Sequence, residues 1–311
     1  MIFQELLQTK RPVFVFPGQG TQRIGMGADL ARDFAEAKEV FQEVDEALNQ
    51  NLSALMFSGD TAELTKTQNA QPAIMAVSMA IFRVLQKEFG PALYQSISAV
   101  AGHSLGEYSA LCAAQVLSLA DTARLLQVRG LAMAKACEMF PGGMMALLGA
   151  DRPQANEIAA QTDVYVANDN APGQVVLSGS LLNLDRAKAL SEQLGVRKVV
   201  SLPVMGAFHS PLMQRAADEM ASVLSKVKFH EPAVPVYFNV TAKINSNPKE
   251  YTSLLTQQVV GMVHWRELIL NTKADCFVEC GPGGVLSGLI HRILPTAMTL
   301  SLATSEDIKG P

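Results

Sequence analysis

Cysteine is scarce: Cys112, Cys137, Cys276 and Cys280 are the only four in a chain of 311 residues. So few in so long a chain exclude a disulfide framework. Cys276 and Cys280 lie in an apolar run with no histidine at zinc-finger spacing, and the thiols are expected to be free and buried. Charge is also thin, at 17% of residues, and balanced, with 25 basic against 29 acidic side chains and a net −4. That balance argues against a nucleic-acid or anionic-membrane surface as the main business of the protein. The opening Met1-Ile2-Phe3-Gln4-Glu5 has neither a basic n-region nor a long apolar h-region, so no signal peptide is expected. No uninterrupted apolar stretch approaches the ~18 residues that span a bilayer. A cytoplasmic protein with no nucleic-acid or membrane partner is the expectation. What the chain has in quantity is apolar material, 49% of residues, enough for a sizeable buried core. Its length exceeds what one core usually serves, so a large domain carrying a smaller one is expected.

Val13-Phe14-Val15-Phe16 is a continuous apolar run closed by Pro17-Gly18-Gln19-Gly20. A short apolar run stopped by glycines reads as a strand buried on both faces, as in a parallel sheet. A helix is predicted over residues 30–48. Another begins near Pro72, because proline suits a first helical turn. It places Ile74, Val77, Ile81 and Leu85 on one face and ends at Gly90-Pro91. Residues 97–101 read as a strand entering a glycine-bounded turn, followed by a long Ala/Leu-rich helical region. Strand-like runs recur at 234–240 and 276–280, so strands alternate with helices as in an α/β sheet with crossovers.

The middle third has a different rhythm. Strands are predicted at 144–148, 164–167, 174–178 and 198–202, and helices at 153–160 and 184–194. A turn is expected over Asn168-Asp169-Asn170-Ala171-Pro172-Gly173. This βαββαβ order is the ferredoxin-like split pattern. A small subdomain over residues 138–205 is therefore expected, inserted in a larger domain made of 1–137 and 206–311. Residues 304–311 are polar and expected to fray.

Gly102-His103-Ser104-Leu105-Gly106 is a G-x-S-x-G sequence between a predicted strand and a predicted helix. Small flanking residues would let a tight turn present the Ser104 hydroxyl on a strained corner, with the next helix aiming its free N–H groups at the same point. The plainer alternative, an ordinary strand-to-helix turn with Ser104 as N-cap, stays open on this motif alone. A nucleophilic serine needs a base, and the histidines are His103, His209, His230, His264 and His291. His103 neighbours the serine on a sharp turn and should point elsewhere. His209, in Gly206-Ala207-Phe208-His209-Ser210-Pro211, sits in a loop between a strand and a helix, where catalytic groups favour being placed.

Taken together, these segments resemble the malonyl-CoA:acyl carrier protein transacylase family. The matching pieces include Phe16-Pro17-Gly18-Gln19-Gly20, Gln71-Pro72-Ala73, Gly102 to Tyr108, and Gln127-Val128-Arg129-Gly130. Asn168 to Gln174, Gly206 to Ser210 and Cys280-Gly281-Pro282-Gly283 complete the set, in the family's order, over about residues 12–295. The resemblance implies a large α/β-hydrolase-like domain with a parallel-sheet core plus the ferredoxin-like subdomain. It implies Ser104 as nucleophile and His209 as general base, oriented by the main-chain carbonyl of Gln258 rather than by a carboxylate. The oxyanion hole would be the N–H groups of Leu105 and Gln19. Arg129 would bind the free carboxylate of a malonyl group, and Phe208 would crowd the substrate's α-carbon. The implied activity moves malonyl from malonyl-CoA to the phosphopantetheine thiol of acyl carrier protein through a malonyl-serine, with no cofactor and as a monomer. Fatty-acid synthesis would be served, and a free-standing enzyme for a polyketide synthase is the alternative. A thioester hydrolase and a carrier-docking subunit with a vestigial site also remain as readings. Lys188, Arg197 and Lys198 are candidates for a basic patch facing an acidic carrier. Gly261-Met262-Val263 departs from an expected Asn-Pro-Val, and Gly142-Gly143 could loosen a hinge; neither is expected to touch the chemistry.

Overall fold

The run Val13–Phe16 is strand β1, and its alternation decides how two layers pack on it. Phe14 and Phe16 face one core, where both meet Phe82 edge-on, while Val13 and Val15 face another around Trp265. This computed structural model describes residues 6, 7, 9–204 and 206–310. The opening five residues, Gln8, Met205 at the expected subdomain edge, and Pro311 lie outside them. After β1 come β2 (Ala99–Gly102), β3 (Gly142–Leu148), β4 (Tyr165–Ala171), β5 (Gln174–Ser180) and β6 (Lys198–Ser201). The short β7 (Tyr237–Phe238) and β8 (Lys243–Ile244) follow, then β9 (Cys276–Cys280) and β10 (Met298–Leu302).

Two sheets carry the fold. The first runs β10-β9-β1-β2, every pair parallel, and helices cover both faces. The second runs β4-β5-β3-β6, every pair antiparallel, with helices Arg152–Thr162 and Leu181–Gln193 on one face. Its element order is the expected βαββαβ. Along β3, Met145 and Leu147 point to those helices and form a small core of their own, whereas Met144 and Ala146 point to the main body. The period of two thus gives the second sheet one self-contained face and one face turned toward the first domain.

Several local expectations need correction. The predicted helix over 30–48 is two helices, Ala28–Asp33 and Ala35–Leu48, because Phe34 is extended. The helix expected from Pro72 starts earlier and spans Thr67–Phe89, carrying Pro72 inside it; Ile74, Val77, Ile81 and Leu85 are all buried. Proline there removes one i→i−4 bond, a loss the surrounding packing absorbs. The turn expected over 168–173 is reduced to Pro172 and Gly173, because β4 runs on to Ala171 with two register shifts. Only Tyr237 and Phe238 of the 234–240 run form a strand, with Val236 making an isolated parallel bridge to Val100. Gly142 and Gly143 belong to β3, and a Cβ on Gly142 would lie 2.6 Å from Gly179 O, so the glycine serves strand pairing. Among the described residues the polar tail is ordered into a helix rather than frayed. Ser305–Lys309 is a helix with a Thr304/Asp307 capping box, docked through Ser305 N–H to Asp29 at 2.7 Å and Lys309 to Asp33 at 2.8 Å. Its polar residues are used in caps and ion pairs, which composition alone does not show. All four cysteines are free and buried, and no helix among the described residues is long and apolar enough to cross a membrane.

Candidate active site

Strand β2 ends at Gly102 and the helix Gly106–Ala113 begins four residues later, so the chain must reverse within Gly102-His103-Ser104-Leu105-Gly106. Ser104 takes up the strain with φ 54°, a left-handed conformation unfavourable for a side chain. The flanking glycines are obligatory: a Cβ on Gly102 would lie 1.9 Å from Gly106 C, and one on Gly106 2.2 Å from Phe16 O. A residue far along the chain clamps the corner. Asn239 Oδ1 accepts from Ser104 N–H at 2.7 Å, and its Nδ2 donates to Gly102 O at 2.7 Å. Asn239 is held in turn by its own N–H, which donates to Glu107 Oε2 at 2.6 Å. Sequence reasoning missed Asn239, because nothing local marks an asparagine that acts across 135 positions.

His209 is 5% exposed and, like Ser104, has positive φ, at 56°. Its Nε2 lies 2.8 Å from Ser104 Oγ. Its Nδ1 faces two carbonyl oxygens, Gln258 O at 2.9 Å and Gly261 O at 3.2 Å. Carbonyl oxygens only accept, so Nδ1 carries the proton and Nε2 is left to accept one from serine. Burial, and then the positive charge of Arg129, push the imidazole down to about 3, which keeps it neutral and ready to act as a base. The second acceptor corrects the expectation that Gly261-Met262-Val263 stays clear of the site.

Arg129, on the helix Leu119–Met139, is 1% exposed rather than a surface arginine. Nη1 donates to Gln71 Oε1 at 2.7 Å, and Nη2 donates to Gln258 Oε1 at 3.1 Å and to Ser104 Oγ at 3.2 Å. Gln258 therefore does more than its main-chain carbonyl was expected to do. Its side chain also braces the guanidinium and donates to Ser104 O at 2.9 Å.

These groups open on a cleft of about 260 Å³ between the two sheets. Gln19, Leu105 and Phe208 line it, as do Met144, Ala146 and Val176 from the inward face of the second sheet. Among the described residues no acceptor meets the N–H of Gln19 or Leu105, so both donors are free beside Ser104. Gly18 is needed for packing on the elbow itself, since a Cβ there would sit 2.8 Å from His103 O. His103 turns away from the serine, and its Nε2 meets Asn170 Oδ1 at 2.9 Å. Lys188, Arg197 and Lys198 are exposed, and Lys188 borders a small hollow whose Met144, Leu202 and Val204 also line the cleft. A larger hollow of about 930 Å³, bordered by Glu36, Arg83 and His230, contains none of the groups around Ser104, so size alone does not locate the chemistry.

A hydroxyl on a strained corner, a neutral imidazole behind it and two free N–H groups nearby can form and break an acyl ester. The guanidinium adds a place for a carboxylate. Comparison with known proteins agrees with acyl transfer. The family model described as acyl transferase domain matches residues 13–308. The malonyl CoA-acyl carrier protein transacylase of Bacillus subtilis is 38% identical over 304 residues, covering 95% of this chain and 94% of its own. The crystal structure of an acyl-carrier-protein S-malonyltransferase from Bartonella henselae superposes with a TM-score of 0.92 at 45% identity, over 96% of this chain and 97% of the other. A malonyl-transacylase solved with its type II PKS acyl-carrier protein is 35% identical with a TM-score of 0.92, covering 96% and 98%. The chain is an acyltransferase and belongs to the malonyl-CoA:acyl carrier protein transacylase family.

Proposed function

We propose that this enzyme moves malonyl from malonyl-CoA to the phosphopantetheine thiol of acyl carrier protein through an ester on Ser104. The observation that carries the proposal is the sharing of one hydroxyl: Ser104 Oγ lies 2.8 Å from His209 Nε2 and 3.2 Å from Arg129 Nη2. In the first half-reaction His209 takes the serine proton as Oγ bonds to the thioester carbon. The oxyanion forms against the N–H groups of Leu105 and Gln19. Its collapse breaks the C–S bond, and His209 returns the proton to the departing CoA sulfur. In the second half the carrier's thiol gives its proton to His209 as its sulfur bonds to the acyl carbon; the ester C–O bond to Ser104 then breaks, and His209 returns the proton to Oγ. Arg129 holds the malonyl carboxylate throughout, and Phe208 limits the room at the α-carbon. No cofactor enters this scheme. The cytoplasm as compartment, and a division into 1–137 with 206–311 against 138–205, belong to the same proposal.

Labelled malonyl-CoA mixed with the enzyme, with and without holo-carrier, tests it. Label is expected on the carrier, with little free malonate; steady malonate release regardless of carrier would mean a hydrolase. Supply of fatty-acid synthesis is the role proposed. The likeness to a transacylase solved with a polyketide carrier favours a second reading, service to a polyketide synthase, and comparing the two kinds of holo-carrier as acceptors separates them.

A further inference from the structure

Arg129 is held by neutral groups. It donates to the amide oxygens of Gln71 and Gln258 and the hydroxyl of Ser104, it lies over the ring of Tyr108 at 5.8 Å, and its Nε has no hydrogen-bond partner among the described residues. The acid that acts on it from the neighbouring helix, Glu107, is buried and pushed up to about 8, so it is mostly uncharged at neutral pH. A buried guanidinium without a counter-charge destabilises a fold. Gln71 is where a counter-charge would most easily be supplied. Its Oε1 lies 2.7 Å from Nη1, and its Nε2 meets only the weak acceptor Met133 Sδ at 3.6 Å. A glutamate has the same shape and would bind Arg129 more strongly, so packing gives no reason for the amide. What glutamine brings to this position is the absence of charge.

We propose that Gln71 is a specificity-determining residue: its amide anchors Arg129 without neutralising it, which reserves the positive charge for the carboxylate of the incoming acyl group. This rests on the reading of Arg129 as that carboxylate's partner. An acyl group without a carboxylate leaves the buried charge unmet, and a site with an unpaired polar group discriminates strongly.

Gln71→Glu and Gln71→Met are compared with the unaltered enzyme in two ways: thermal melting without substrate, and transfer from malonyl-CoA and acetyl-CoA. Gln71→Glu is expected to melt higher, because the counter-charge is now built in, and to lose at least about a hundredfold in the malonyl-to-acetyl ratio of kcat/KM. Gln71→Met, which stays neutral, is expected to keep malonyl preferred. The proposal is overturned if Gln71→Glu melts lower, fails to fold or keeps its ratio, or if Gln71→Met loses the preference as fully as Gln71→Glu. If the unaltered enzyme shows no preference for malonyl, the reading of Arg129 fails instead; the melting comparison still decides whether Gln71 leaves the charge unmet.

Discussion

Arg129 donates a hydrogen bond to the hydroxyl of Ser104, at 3.2 Å. The group that would select the acyl chain therefore touches the group that would carry it. Selection and attack share one geometry, and a carboxylate on Arg129 would fix the thioester carbon beside Oγ. Replacing Arg129 with alanine is expected to cut the malonyl-to-acetyl ratio of kcat/KM by up to about 10⁴. Parallel assays with malonyl-CoA and acetyl-CoA check this, and an unchanged ratio would remove Arg129 from specificity.

Asn239 clamps both sides of the strained elbow. Alanine there leaves Ser104 N–H and Gly102 O buried without partners, at a cost of about 1–3 kcal/mol each. The hydroxyl then drifts from His209, and a displacement near 1 Å is worth about a hundredfold in rate. Asn239→Ala is expected to lower kcat far more than it changes KM, in steady-state assays on protein shown by its denaturation midpoint to be folded.

Two buried groups predict opposite pH slopes. His209 is pushed down to about 3 in the fold, against the ordinary 6.5. Stability from keeping it neutral is complete above pH 6.5 and is lost as the pH falls toward 3. Glu107 is raised by burial from 4.5 to about 8, so its contribution is complete below pH 4.5 and is lost as the pH rises through 8. Urea midpoints across pH are expected to show His209→Gln flattening the acid side and Glu107→Gln the alkaline side. Activity tells the same story: kcat/KM should have no acid limb near 6.5.

Much of this was legible in local sequence. The Val13–Phe16 run, the βαββαβ order and the glycine-bounded serine each announce themselves within a few residues, because strand period and tight turns are local constraints. The pairing of Ser104 with His209 follows from loop position and the family resemblance, and the two side chains lie 2.8 Å apart. Asn239 and the side-chain duties of Gln71 and Gln258 were not legible. They are single polar residues whose partners lie 135, 58 and 129 positions away. Nor was β10, which only its register with β9 defines. The helix Thr67–Phe89 runs through Pro72 for a related reason, since tertiary packing overrides a local preference.

The central claim is that Ser104 carries the acyl group. Brief exposure to malonyl-CoA without carrier, followed by intact-mass measurement and peptide mapping, tests it most directly. One added malonyl group on the peptide containing Ser104, absent from Ser104→Ala and discharged by holo-carrier, is the predicted result. An unmodified mass, or the same adduct on Ser104→Ala, would contradict the account.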